Sequence, residues 1–134
     1  MQFVYRGGMS KALDFTDLQV WKEGHGLAKA IYLCTKEFPG DEIFGLTNQI
    51  RRAAVSVTSN VAEAHGRVSH KEKLRFYLVA RGSLVEVQNQ LLLARDVGYL
   101  QDDAFFLLCE RVIKTLKLLN GIIRYCRKSF PPVP

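Results

Sequence analysis

The chain has 134 residues with a formal net charge of +6, and 48% of its residues are hydrophobic. That length suits a single domain that buries its core without a covalent or metal staple, and the composition excludes a disordered chain. The three cysteines, Cys34, Cys109 and Cys126, sit inside apolar periodic segments without C-x-x-C spacing, which argues against a zinc site or disulfide framework and for reduced core thiols in a cytoplasmic protein.

Residues 1–16 read as an N-terminal extension, expected to be flexible, and a second Met at position 9 leaves the first eight residues without functional weight. This start lacks the apolar core of a signal peptide, and no apolar run approaches the length of a membrane span, so no membrane contact is expected. The first helix is expected over 17–37. Leu18, Trp21, His25, Ala28 and Tyr32 form one stripe, and Val20, Gly24, Leu27, Ile31 and Phe38 lie beside it. Pro39 and Gly40 then stop it.

A second helix is expected over 44–65, with Leu46, Ile50, Ala53, Val57, Val61 and Ala64 on one face and Gly66 closing it. Ser69 and Glu72 have the spacing of a capping box and open a third helix over 70–97. Its apolar residues fall on two lines, Leu74, Leu78, Val85 and Leu92, and Phe76, Ala80, Leu84, Val87, Leu91 and Ala94, which is too wide for one neighbour. Gly98 suits a left-handed turn, and Asp102 or Asp103 is expected to cap a fourth helix over 102–128. There Phe105, Cys109, Val112, Leu116, Leu119, Ile123 and Cys126 keep heptad spacing, and Leu107, Leu108, Ile113, Leu118 and Ile122 widen the apolar surface. Residues 129–134 form a tail. The pattern describes an all-α, antiparallel, up-and-down four-helix bundle whose broad faces favour self-association.

Chemistry-bearing motifs are scarce. The histidines His25, His65 and His70 form no H-E-x-x-H, and neither G-x-S-x-G nor a phosphate-loop glycine pattern occurs. Arg67 is followed by His70 after only two residues, closer than the Arg-to-His spacing of helical RNA-cleaving domains. A metal cluster of Glu63, His65 and His70 would straddle a helix break, so neither a metal nor a cofactor is expected, and the chain is read as non-enzymatic. Glu63 fits an ion pair with Arg52 or Arg67 better than acid–base chemistry, and Asn60 fits a helix-to-helix hydrogen bond.

The basic excess lies mainly in the second half. On the fourth helix Lys114, Lys117, Arg124 and Lys128 recur opposite the heptad stripe, with Arg127 alongside. Such a ladder fits a phosphate-contacting surface and equally a solvated outer face. Arg51, Arg52, Arg67 and the run Lys71 to Arg75 suggest a second patch near the turn between helices two and three, without interleaved aromatics for base stacking.

Asp17-Leu18-Gln-Val-Trp21, Phe38-Pro39, Phe44 through Ala53, Ser59-Asn-Val-Ala-Glu63, Gly66-Arg67, Arg81 through Glu86 and Gly98-Tyr-Leu100 together resemble the four-helix bundle protein family. That family includes proteins encoded in intervening sequences of bacterial large-subunit ribosomal RNA genes and is similar to the accessory variability proteins of diversity-generating retroelements. The resemblance covers roughly residues 14–128. It implies a ring-shaped homopentamer of bundles and, for the retroelement branch, a basic surface binding nucleic acid and a reverse transcriptase. The family tends to have Glu-Gly where this chain has Glu63-Ala64, which bears on the turn after the second helix.

Arg51, Arg52, Asn60, Glu63, Arg67, Gly82, Ser83 and Glu86 match the family pattern. Arg51, Arg52, Asn60, Glu63, Gly82, Ser83 and Glu86 read as a polar seam, with Gly82 permitting close helix approach and the two carboxylates meeting Arg51 or Arg52. Arg67, Lys114, Lys117, Arg124, Arg127 and Lys128 are the candidate contacts for RNA or DNA. The leading expectation is an oligomeric bundle that binds nucleic-acid backbone, as an accessory subunit of a ribonucleoprotein or reverse-transcriptase complex. A protein-interaction scaffold without nucleic acid is the alternative.

Overall fold

The structure is a computed structural model and describes residues 14–129. A short 3-10 turn, Phe15–Asp17, leads into α1, Gln19–Thr35. A second 3-10 turn, Gly40–Glu42, precedes α2, Leu46–His65, followed by α3, His70–Asp96, and α4, Asp102–Lys128. No strand occurs among the described residues. Each helix packs on its sequence neighbours, α1 closes the square against α4, and the backbones of the diagonal pairs stay farther apart. Arg51 reaches Thr35 while Thr58 faces Gly24, so α1 and α2 run antiparallel. Ser56 meets Ser83, and Lys73 meets Ala64, which sets α3 antiparallel to α2 in the same way.

The ends follow local chemistry. α1 begins two residues later than the sequence suggests because Asp17 belongs to the 3-10 turn and Leu18 is extended. It ends at Thr35, whose hydroxyl donates back to the Ile31 carbonyl at 2.7 Å. Gly45 precedes α2, and a Cβ there would lie 2.5 Å from Glu42 Oε1. That carboxylate oxygen accepts from the Leu46 N–H and caps the helix. α2 continues through Ala64 to His65 and stops at Gly66. Ser69 caps α3 by accepting from the Glu72 N–H at 3.1 Å, as its spacing predicts. Gly98, at φ +86, takes the left-handed position after α3, and the Tyr99 N–H returns to the Ala94 carbonyl. Neither aspartate holds the N-cap position of α4: Gln101 stands there without a side-chain bond, while Asp102 and Asp103 lie in the first turn, where the dipole favours them and Asp103 Oδ1 accepts from the Ala104 N–H at 2.9 Å.

The α2 stripe is buried as its periodicity predicts, and α1 buries the line Val20, Gly24, Leu27 and Ile31. On α3 the line through Ala80, Leu84, Val87, Leu91 and Ala94 enters the core with Tyr77 and Ser83, leaving Val85 and Leu92 outside. On α4 Leu108 and Thr115 are buried while Cys109 and Leu116 are only half-buried, so the seam is rotated from the strict heptad line. Leu118 and Ile122 pack partly on the core, and Phe106, Leu107 and Ile113 remain exposed. Each wholly buried Leu or Ile contributes roughly 1.5–3 kcal/mol relative to exposure.

The close helix approach is at Gly24, where a Cβ would sit 3.1 Å from Thr58 Cγ2 and 3.4 Å from Val57 Cγ1. Gly82 does not serve that purpose. It lies on the outer face of α3 with nothing within 4 Å of where a Cβ would stand, because the neighbouring Ser83 is the residue turned toward α2.

Candidate nucleic-acid interface

The residues of the expected polar seam are dispersed and do not form one seam. Arg51 joins α2 to α1: its Nε donates to Thr35 Oγ1 at 2.8 Å, and its guanidinium lies 4.8 Å from the centre of the Tyr32 ring. Arg52, Ser83 and Glu86 line an open groove of about 440 Å³ between α2 and α3, with Asn48, Gln49, Ser56 and Gln90. Within it the Ser56 and Ser83 hydroxyls are 2.7 Å apart. Asn60 donates to the Ser56 carbonyl and hydroxyl on its own helix rather than across the seam.

Glu63 and Glu86 do not meet Arg51 or Arg52 among the described residues. Both are exposed, and Glu63 instead pairs with Arg67 at 3.1 Å, one helical turn away at the end of α2. The Arg67 guanidinium also lies 4.7 Å from the Phe76 ring centre, with Arg75 5.9 Å from the same ring. No group of three His, Cys, Asp or Glu residues converges to hold a metal among the described residues. The His70 ring packs edge-on against Tyr125 instead, 5.3 Å between centres.

The basic ladder occupies the face of α4 opposite its buried stripe, since Lys114, Lys117, Arg124 and Lys128 are all exposed while Val112, Thr115, Leu119 and Ile123 face the core. Lys114 is the exception to a uniform row: its Nζ lies 3.1 Å from Glu23 Oε1 on α1. Lys117, Arg124, Arg127 and Lys128 form no ion pair among the described residues. Arg127 and Lys128 also stand in the last turn of α4, where cations offset the helix dipole. The same end of the bundle carries Lys71 and Arg75, exposed on the first two turns of α3. Lys73 is spent internally, its ammonium donating to the Ala64 and His65 carbonyls at the end of α2.

Tyr125 was not among the residues that the sequence singled out. It follows Arg124 directly, stands one turn from Lys128 and is 63% exposed. Its signal was an aromatic on the outer line of a basic helix. The cysteines offer no competing chemistry: burial pushes the Cys34 thiol up to about 11 despite nearby Arg51, and burial likewise raises Cys109 and Cys126. All three are free. No helix among the described residues is long and apolar enough to cross a membrane.

Fold and surface together define an antiparallel four-helix bundle with one basic end. The sequence profile of the 23S rRNA-intervening sequence protein family matches residues 16–121, and the chain belongs to that family. No curated protein matches it significantly. Among solved structures it is similar to a protein of unknown function from the S23 ribosomal protein family of Bacteroides thetaiotaomicron. That similarity has a TM-score of 0.73 at 19% identity, covers 84% of this chain and 99% of the other, and speaks for the fold.

Proposed function

We propose that this protein is a non-enzymatic, self-associating bundle that binds the backbone of RNA or DNA through its basic end, as an accessory subunit of a ribonucleoprotein or reverse-transcriptase complex. The observation that carries the reading is the row Lys117, Arg124, Arg127 and Lys128, exposed and without ion-pair partners among the described residues, beside Lys71 and Arg75 at the same end. Such cations release counterions when they meet phosphates, so affinity falls with salt. The family's name adds an association with ribosomal RNA genes. Self-association, pentameric by resemblance, would repeat the basic end and raise avidity for a long polyanion. A mobility-shift titration at low and moderate salt is the direct test: binding at low salt that weakens with added salt supports the reading, and its absence at low salt removes it.

A protein-interaction scaffold is the second reading. It is favoured by the apolar strip around α1, where Tyr32, Leu33 and Val55 border one open groove and Leu33 and Leu107 another. Pull-down with nuclease treatment separates the two, since partners retained after digestion favour the scaffold.

A further inference from the structure

We propose that Tyr125 is a base-stacking platform and that the nucleic acid this end takes is single-stranded. The inference rests on the backbone-binding reading above and adds to it the part of the ligand that duplex structure hides. An exposed aromatic ring beside cations is the pairing that single-strand sites use: the cations follow the phosphates while each base finds a π-face. Tyr125 meets that description with 63% exposure, Arg124 before it and Lys128 one turn on.

The local backbone keeps the ring open. Side chains on a helix lean over the turn that precedes them, so Tyr125 lies over the turn containing Gly121. At Gly121 only the Arg124 Nη2 comes within 4 Å of where a Cβ would sit. The position four residues back therefore contributes no side chain to cover the tyrosine. On its other side the His70 ring makes an edge-on contact, 5.3 Å between centres at an interplanar angle of 69°. That contact steadies the ring and occupies at most one of its faces. From Lys117 to Lys128 the helix rises about 16 Å at 1.5 Å per residue, enough for a short run of nucleotides along the row. A base stacked on Tyr125 must leave its neighbours in the strand, which a duplex resists and a single strand allows.

The test is fluorescence anisotropy of the full chain with labelled oligouridine, oligothymidine and a DNA duplex of equal length, comparing wild type with Y125A, Y125F and the charge variant K117A/R124A. Losing one stacked base corresponds to roughly 5- to 150-fold weaker binding. Y125A is expected to lose that much on both single strands and to leave duplex binding unchanged, with Y125F retaining wild-type affinity. Circular dichroism confirms that the exposed substitution leaves the bundle folded. If Y125A binds single strands as wild type does while K117A/R124A is weakened, stacking is wrong and backbone binding stands. If wild type binds none of the three probes at low salt, both readings fall.

Discussion

The Tyr99 hydroxyl donates to Glu42 Oε2 at 2.8 Å, tying the turn between α3 and α4 to the connection between α1 and α2. The other Glu42 oxygen accepts the Leu46 N–H, so one carboxylate both caps α2 and closes the end of the bundle remote from the basic one. The Phe38 and Tyr99 rings pack beside it, 5.6 Å between centres.

This bond gives stability a pH signature. The hydrogen bond from Tyr99, then the Leu46 N–H, hold Glu42 below its ordinary value of 4.5. Its contribution is therefore present above that value and lost as pH falls through the lower, folded one. Tyr99 is shifted the other way, raised above 10 by the bond to Glu42 and then by burial and the nearby carboxylates. Its contribution is present below 10 and lost as pH rises through the folded value. Thermal melts across pH should show both flanks, and Tyr99→Phe should flatten them. An unaltered profile in Tyr99→Phe would contradict the assignment.

Two glycines on diagonally placed helices, Gly82 on α3 and Gly24 on α1, should respond oppositely. Gly82→Ala adds a methyl to open space in an exposed helix interior and should stabilise by about 0.5–1 kcal/mol. Gly24→Val drives a branched side chain into Thr58 and Val57 and should cost about 1–3 kcal/mol. Denaturant midpoints measure both, and a destabilised Gly82→Ala would mean that this face of α3 is covered in solution.

Glu86 is exposed in the groove opposite Arg52 without an ion pair among the described residues. Glu86→Ala should leave the protomer's stability within about 0.5 kcal/mol. Should light scattering show that the same substitution also lowers the assembly size, the groove belongs to the interface between copies. A wild-type mass equal to one 15.2 kDa chain at micromolar concentration would remove self-association altogether.

The thiols should be slow. With Cys34 pushed up to about 11, only about one thiol in a thousand is ionised at pH 8. Mass spectrometry after brief alkylation should find Cys34 largely unmodified in the folded protein and modified after unfolding. Rapid native labelling would show that its surroundings open.

How much of this was legible varied with the kind of contact. The α2 stripe could be read directly because its apolar residues occupy one line. On α3 two lines competed, and which one entered the core was decided by α2 and α4, which periodicity within α3 cannot encode. Thr115 is polar yet fully buried because its hydroxyl donates to the Arg111 carbonyl on its own helix. The ladder's position on the outer face was readable, but the Lys114 pair depends on Glu23 from the first helix and needed the fold. Gly82 was misread because a glycine beside a buried serine carries the same sequence signal as one facing a neighbour.

The Lys114 pair makes a graded prediction. Lys114→Ala should weaken RNA binding less than Lys117→Ala or Arg124→Ala, because Lys114 is already paired with Glu23. Equal losses in titrations at one salt concentration would show that the pair opens when RNA binds.

The most direct measurement is the salt dependence of single-stranded RNA affinity for wild type and K117A/R124A/R127A/K128A. Four phosphate contacts predict a slope of about −3 in log affinity against log salt, with the variant losing most of both slope and affinity while remaining folded. Equal affinity and slope in the two proteins, or no wild-type binding at low salt, would contradict a basic end built for nucleic acid.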